Sequence, residues 1–272
     1  MRINHNMMAM NTHRQMGTNN LAASKSMEKL SSGYRINRAA DDAAGLSISE
    51  KMRAQIRGLA QASRNSQDGI SLIQTTEGAL SSVNDMLVRI KELAVQSRNG
   101  IYNDGQDRAR LDEELKELSA QITNVSTTTS FNGIKTLSGA TSIAIQIGHD
   151  KGDLLKLNGA KFSLAAVAGS VGALAIATSN GASQCLSKIT SLINRVSAAR
   201  SYLGANQNRL EYTISNLDTN VENLQASESR IRDVDMAKEM MEFTKNNILQ
   251  QAATAMLAQA NQQPQSVLQL LR

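Results

Sequence analysis

The sequence predicts a mainly α protein: a long antiparallel, coiled-coil-like helical rod with terminal helices and a small β-hairpin or loop region in the middle. The first observation is an apolar residue at every seventh position from Ile189 to Ile231, in a stretch whose only helix-weakening residue is Gly204. Such a helix would extend roughly 60 Å, far beyond an ordinary globular helix. The second observation is a shortage of large rings, since aromatic residues make up 3% of the chain and Trp is absent. This composition suits narrow helix–helix contacts better than a thick core.

Three heptad rows would pack together in this rod. One follows a capping-box pattern, Ser47 with Glu50, which predicts the start of a long helix. Its row has a single polar exception, Ser66. A shorter row lies in the next helix, and the third is the C-terminal row described above. The predicted rod-packing residues are Met52, Leu59, Ile73, Leu80, Leu87, Leu111, Leu115, Leu118, Ile189, Val196, Leu203, Leu210, Leu217, Leu224 and Ile231.

The shorter helix carries an acidic side. Asp112, Glu113, Glu114 and Glu117 fall between its apolar positions. A face of this kind is most often solvated and balances basic neighbours, so we expect these four side chains to be exposed.

Both ends of the chain are weakly amphipathic. Residues 1–40 place apolar side chains at heptad-compatible spacing, but Arg14 and Gly17 interrupt the row. An isolated helix of this quality is marginal, so we expect it to fold only against a partner. The C-terminal segment 236–272 uses Met, Ala and Leu, which suit adaptable helix contacts. The predicted terminal assembly residues are Ile3, Met7, Met10, Met240, Phe243, Leu249, Met256, Leu257, Leu270 and Leu271.

The amino-acid composition changes between residues 136 and 187, where Ser, Ala, Gly and Thr dominate. Apolar residues alternate with other residues at Ile143, Ile145 and Ile147, and again at Leu155 and Leu157, on either side of a Gly-bounded turn. This pattern predicts a hairpin. A similar alternation at Leu174 and Ile176 predicts a further short strand.

Charge and cysteine content exclude several classes. The net charge of +5 is mild. The richest basic stretch (Lys51, Arg53, Arg57 and Arg64) has no aromatic neighbour, which favours a solvated helix face over nucleic-acid binding. Cys185 is alone, so no intramolecular disulfide forms. The opening MRINHNMMAM lacks the apolar core of a signal peptide, and no stretch predicts membrane insertion.

Catalytic motifs are not apparent. His5, His13 and His149 are far apart in sequence and none belongs to an HExxH motif. Cys185 has no neighbouring His, and the pair Asp41-Asp42 comes with no predicted pocket. We therefore expect no enzymatic activity, no cofactor and no metal.

Several motifs resemble those of bacterial flagellins, the subunits of the flagellar filament. They are the opening MRINHN, then LSSGYRINRAADDAAGL, NSQDGISLIQTTEGAL, and the C-terminal stretch from ESRIRDVDMAKEMMEFTKNN to QQPQSVLQLLR. The resemblance covers about residues 1–135 and 189–272. It implies that segments 1–43 and 236–272 form the inner filament core, 44–135 and 188–235 the surrounding rod, and 136–187 a short outward region.

The resemblance also implies partners and a location. The chain would form a homopolymer after export, unfolded, through a flagellar type III channel, and would reside outside the cell in the flagellum. A secretion chaperone would hold the C-terminal segment, a cap protein would assist assembly at the tip, and a junction protein would join the filament to the hook.

A further implied partner is a vertebrate Toll-like innate receptor. In flagellins that it binds, the receptor contacts a motif similar to LVRIKELAVQ, which is residues 87–96 here. One departure is Val88, where Gln is frequent. The alternative is that Leu93 packs in the rod and Arg89 forms a surface ion pair, and both readings can hold together. The matching residues are Arg89, Glu92, Leu93, Gln96 and Glu114.

Two alternatives belong to other classes. A soluble helical adaptor or secretion-apparatus component, such as the related hook–filament junction proteins, would share flagellin-like ends but form discrete oligomers rather than long filaments. The match at both termini, especially the QQPQSVLQLLR ending, argues against it. A nucleic-acid-binding coiled coil ranks third, and it would be excluded by absence of binding at low salt.

Overall fold

The computed structural model describes residues 6–103, 106–139 and 142–270, with residues 264–270 described by their backbone only. The fold is mainly α with a small strand region in the middle of the chain, which confirms the predicted class. Of the predicted assembly residues, Ile3, Leu271 and the side chain of Leu270 lie outside the described residues. The elements are α1 (Met7–Ser32), α2 (Ala43–Ser97), α3 (Asp107–Thr128), β1 (Ser130–Phe131), β2 (Ile134–Lys135), β3 (Ile143–Gln146), β4 (Leu154–Leu157), a 3-10 turn (Gly159–Lys161), α4 (Ala165–Gly172), α5 (Ser179–Arg232) and α6 (Met236–Leu270).

The chain forms two compact units. The terminal unit comprises residues 1–56 and 222–272, and the central unit comprises residues 57–221. Helices α2 and α5 contribute residues to both. No helix within the described ranges is long and apolar enough to cross a bilayer.

In the terminal unit, α1 packs antiparallel against α6. The Asn6 side-chain amide at the start of α1 donates to the Ala260 carbonyl at 2.7 Å. Near the other end of α1, Lys29 Nζ lies 4.0 Å from Glu239 Oε2 at the start of α6. The weakly amphipathic N-terminal segment thus forms a helix that packs against α6, a helix from the opposite end of the sequence.

The turn after α1 depends on a glycine. Gly33 has φ 74°, a left-handed conformation that costs glycine little, and its N–H donates to the Lys29 carbonyl at 2.8 Å. The Gly33 carbonyl in turn accepts from Val234 N at 3.0 Å, and Arg35 N donates to the Arg232 carbonyl at 2.7 Å. These two bonds join the turn to the segment between α5 and α6.

Helix α2 begins earlier than the capping-box pattern predicts. It starts at Ala43, and Asp42 Oδ1 accepts from Gly45 N at 2.8 Å as an N-terminal cap. Ser47 and Glu50 therefore lie inside the helix, so the prediction of a cap at Ser47 was wrong. Both Asp42 and Ser47 are good capping types, and the upstream one is used.

The central unit has one continuous apolar core built from α2, α3, the β3–β4 hairpin, α4 and α5. Helices α2 and α5 run antiparallel there: Ser63 Oγ lies 3.2 Å from Asp218 Oδ1, and Arg200 Nη2 lies 3.5 Å from Glu77 Oε1. Leu80, Leu87 and Leu203 are 0% exposed in this core. The buried side chains are mostly Leu, Ile and Val, as the shortage of aromatic residues requires.

The predicted hairpin is present. Strands β3 and β4 pair antiparallel, with Ile145 opposite Leu155 and both side chains buried. The hairpin lies close to α2, because a Cβ on Gly69 would meet Ile145 Cδ1 at 2.6 Å. A bare glycine on α2 thus leaves room for the Ile145 side chain.

The predicted strand at Leu174 and Ile176 is absent, and that prediction was wrong. The segment follows α4, and α5 already begins at Ser179. Leu174 N donates to the Val171 carbonyl at 3.0 Å, which closes α4, and both apolar side chains enter the core. Alternating burial here comes from a loop covering the core rather than from strand pairing.

Candidate interaction surfaces

The fully buried side chains of α1 and α6 are small or polar, whereas the larger Phe243 and Leu257 are only half-buried. Among the described side chains of α1 only Ala23 and Ser26 are fully buried, and on α6 the buried side chains are Asn246, Ala253 and Ala260. Small residues allow the two helices to approach but bury little apolar area. The pair is therefore weakly stabilised by its own contact.

The large apolar side chains of the same two helices face solvent. Met7 is 70% exposed and Met10 63% on α1, and Met241 is 68% exposed on α6. Two open grooves result. One is lined by Met7, Met8, Met10, Asn11 and Arg14. The other is lined by Met240, Met241, Thr244, Lys245 and Ile248. Exposed apolar patches rimmed by polar residues are typical of protein–protein contact sites.

The predicted assembly residues divide by exposure. Met7, Met10, Met240, Leu249 and Met256 are exposed. Phe243 and Leu257 are half-buried. Most of the predicted residues whose side chains are described are thus exposed to solvent.

The predicted rod-packing residues are either fully buried or half-buried. Those fully buried are Leu59, Ile73, Leu80, Leu87, Leu115, Ile189, Val196, Leu203, Leu210 and Leu217. Those half-buried are Met52, Leu111, Leu118, Leu224 and Ile231. The polar exception, Ser66, is also fully buried, and its hydroxyl donates to the Ala62 carbonyl at 2.8 Å within α2.

Arg89 centres an exposed cluster on α2 and α3. Its guanidinium lies 2.9 Å from Glu114 Oε1 and 3.2 Å from Glu92 Oε2. The hydrogen bonds to Glu114 and Glu92 raise the pKa of Arg89 above its ordinary value. On the same stretch the Gln96 amide donates to the Tyr102 hydroxyl at 3.2 Å.

Leu93 is placed differently from the rest of that motif. It is 1% exposed and belongs to the core of the central unit. The resemblance implies that it contacts the receptor, but its side chain supports the surface from beneath. The exposed residues of the predicted receptor site are therefore Arg89, Glu92, Gln96 and Glu114.

The structure contains a buried polar cluster that was not predicted from the sequence. Asp112 is 6% exposed, so the prediction that it is solvated was wrong. Its Oδ1 accepts from Ile176 N at 2.9 Å, and Ser97 Oγ donates to the Ile176 carbonyl at 2.6 Å. Arg108 Nε donates to the Ser97 carbonyl at 2.7 Å. The cluster joins α2, α3 and the segment before α5, and an i,i+4 Arg–Asp pair was its only signal in the sequence.

The remaining reactive groups have structural roles or lie exposed. Burial raises the pKa of the Cys185 thiol to about 11, which disfavours the nucleophilic thiolate. Asp41 accepts from Arg38 N at 3.0 Å and Asn37 N at 3.2 Å, and the bond from Arg38 is the main cause of its lowered pKa. Ligand atoms of one exposed turn group lie within 4.8 Å of one another: His149, Asp150 and Asp153.

Family comparisons match both ends of the chain. The family model of the bacterial flagellin N-terminal helical region matches residues 3–142, and that of the C-terminal helical region matches residues 186–271. The chain belongs to the bacterial flagellin family. It is therefore a structural subunit of the flagellar filament and not an enzyme.

Individual flagellins are similar over their whole length. The chain is 59% identical to a flagellin of Halalkalibacterium halodurans over 271 residues, covering 99% of both chains. It is 50% identical to a flagellin of Bacillus subtilis over 304 aligned positions, covering 100% of both. These identities confirm the resemblance inferred from the motifs.

Solved structures agree in fold. The crystal structure of Bacillus cereus flagellin matches with TM-score 0.51 and 29% identity, covering 57% of this chain and 88% of that one. A putative flagellar hook-associated protein from Vibrio parahaemolyticus matches with TM-score 0.58 over 71% of this chain and 100% of that one, at 16% identity. The second likeness shows a shared fold alone.

Proposed function

We propose that copies of this chain polymerise through the exposed faces of α1 and α6. The observation that carries the proposal is the distribution of side chains in the terminal unit: the fully buried residues of α1 and α6 are small or polar, and the large Met7, Met10 and Met241 face solvent. Their burial is favourable by about 1.5–3 kcal/mol per large side chain. Another copy of the chain is the partner that a filament subunit meets at every position.

The two methionine grooves support a head-to-tail contact. The α1 groove includes Arg14 and the α6 groove includes Lys245, and they are different surfaces rather than one self-complementary patch. Contacts between unlike surfaces extend indefinitely when their rotation does not close a ring, which gives a helical filament. In this proposal segments 1–43 and 236–272 form the inner core, 44–135 and 188–235 surround it, and 136–187 face outward.

Substituting Met241→Glu is expected to raise the critical concentration for polymerisation by about tenfold or more, because an unpaired carboxylate would be desolvated at the contact. The side chain is 68% exposed, so the subunit should remain folded. Right-angle light scattering after addition of filament seeds measures the effect.

The matched control is Leu154→Glu in strand β4, which is 40% exposed and lies in the segment proposed to face outward. It should polymerise as the parent chain does. Equal loss of polymerisation in both variants would contradict the proposed division between inner and outer segments.

The proposal extends to the route of assembly. The chain is exported unfolded through a flagellar type III channel, with a chaperone on its C-terminal segment, and adds at the filament tip beneath a cap protein. A junction protein joins the filament to the hook. Family membership supports these steps, and a chain with 3% aromatic residues and one cysteine suits passage through a narrow channel.

The cluster around Arg89 is proposed as a contact site for a vertebrate Toll-like innate receptor. Arg89, Glu92 and Glu114 are exposed and hold one another in place through ion pairs. Gln96 lies exposed further along α2. Leu93 contributes by packing beneath them.

Substituting Arg89→Ala is expected to abolish receptor signalling, because it removes the central charge and releases both glutamates. Surface ion pairs contribute only about 0–1 kcal/mol, so the monomer should keep its stability. Signalling by the purified monomer in a receptor-reporter cell line measures the effect. The control is Arg110→Ala, which breaks a similar exposed pair with Glu113 on α3. Undiminished signalling by the Arg89 variant would exclude this site.

A further inference from the structure

The methionines of this chain are strongly segregated. The sequence contains 12 of them, and Met86 alone falls in the central unit, where it is half-buried. All the methionines that are exposed among the described residues belong to α1 or α6: Met7, Met8, Met10, Met27, Met236, Met240, Met241 and Met256. A protein that needed only apolar surface could use leucine, so this distribution places one oxidisable side-chain type on one unit.

We propose that these exposed methionines are a modification site at which peroxide-class oxidants switch off polymerisation of the free subunit. The inference rests on the proposed function, in which the α1 and α6 faces contact other copies. Met7, Met8 and Met10 line one groove, and Met240 and Met241 line the other. Oxidation would therefore alter both halves of the contact.

The chemistry is a two-electron transfer. A hydrogen peroxide molecule transfers one oxygen to the thioether sulfur: an S–O bond forms, the O–O bond breaks, and the peroxide leaves as water. The product is methionine sulfoxide, which is polar and chiral in place of flexible and apolar. Burying its oxygen at a contact built for thioethers leaves a strong acceptor without a donor.

The fold of the subunit should survive this change. The fully buried side chains of α1 and α6 are Ala23, Ser26, Asn246, Ala253 and Ala260, none of which is oxidised by peroxide. Met16, seven residues before Ala23, is half-buried and therefore less accessible to peroxide than the exposed methionines. The exposed methionines are not part of this buried set. Oxidation therefore separates the ability to assemble from the ability to fold.

The test begins with the purified full-length monomer, treated with graded hydrogen peroxide and mapped by peptide mass spectrometry. Sulfoxide at the α1 and α6 positions is expected to raise the critical concentration for seeded polymerisation about tenfold or more, with the helical circular dichroism signal unchanged. Methionine sulfoxide reductases with a dithiol should restore polymerisation. Normal polymerisation of fully oxidised monomer, or loss of the helical signal, would overturn the proposal.

Two variants give matched controls. A chain with Leu at all eight exposed methionine positions should polymerise after peroxide treatment, and one with Met16→Leu, Met52→Leu and Met86→Leu should remain sensitive. The eight positions are Met7, Met8, Met10, Met27, Met236, Met240, Met241 and Met256. Should the first variant not assemble even untreated, reductase rescue of the oxidised parent chain still decides the question.

Experiments on preformed filaments distinguish a failure of the proposed oxidation switch from a failure of the proposed assembly faces. In a filament the same methionines should oxidise far more slowly than in the monomer, because the contact covers them. Equal rates in both states would overturn the proposed assembly faces. Protection in the filament combined with normal assembly of oxidised monomer would overturn only the oxidation switch.

Discussion

Removal of residues 240–272 is expected to abolish filament formation completely. The truncation deletes most of α6, including the Met240–Ile248 groove and the Asn246, Ala253 and Ala260 contacts to α1. Helix α1 then loses its partner, and an isolated helix of this quality is marginal. Electron microscopy after addition of filament seeds measures the outcome.

The central unit should survive the truncation. Its core is contained within residues 57–221, and three of the four tyrosines, Tyr102, Tyr202 and Tyr212, lie there. Tyrosine fluorescence should therefore show a cooperative unfolding transition close to that of the full chain. Filaments formed by the truncated chain would contradict the proposed role of α6, and loss of the transition would contradict the independence of the central core.

Substituting Leu80→Ala is expected to reduce the free energy of unfolding of the central unit by about 2–5 kcal/mol. Leu80 is 0% exposed and lies in the core that α2 shares with α5 and the hairpin. The loss combines the transfer free energy of the removed atoms with the cavity left behind. Urea titration followed by tyrosine fluorescence measures it.

Val88→Ala on the same helix is the control. Val88 is 41% exposed, and substitutions at such positions usually change stability by about 0.5 kcal/mol or less. If the two variants were equally stable, α2 would not pack through its heptad row in solution.

The helices could be predicted from the sequence because their signal is periodic and local. The row through Leu80 on α2 and the row through Leu203 on α5 each repeat every seventh residue, and both side chains are buried. The short β1–β2 hairpin turns at Asn132 and Gly133, whose φ values of 49° and 78° an Asn-Gly pair adopts readily.

Apart from the cap at Ser47, which was a local choice between two capping residues, the errors came from contacts distant in sequence. Asp112 is charged and sits among glutamates, yet it is buried because the Ile176 N–H, 64 residues away in sequence, donates to it. No periodicity encodes such a partner. Leu174 and Ile176 alternate as a strand would, but none of the described strands pairs with them.

The sequence predicts that apolar positions on the two end segments form the assembly surface. It does not predict which side of each helix remains exposed to solvent in the subunit. Heptad spacing predicts the same packing role for Met240 and Phe243, yet Met240 is exposed and Phe243 is half-buried. On each of the two helices, the face that is buried in the α1–α6 contact is the one rich in Ala, Ser and Asn, so the other face remains exposed. The sequence alone cannot specify that choice, because the two helices come from opposite ends of the chain.

The most direct test is an electron cryomicroscopy map of the assembled filament at side-chain resolution. In that map we expect the side chains of Met10, Met240 and Met256 to contact a second copy of the chain, while the β3–β4 hairpin lies on the outer surface. A map in which these methionines face solvent, with the hairpin forming the contacts between copies instead, would contradict it.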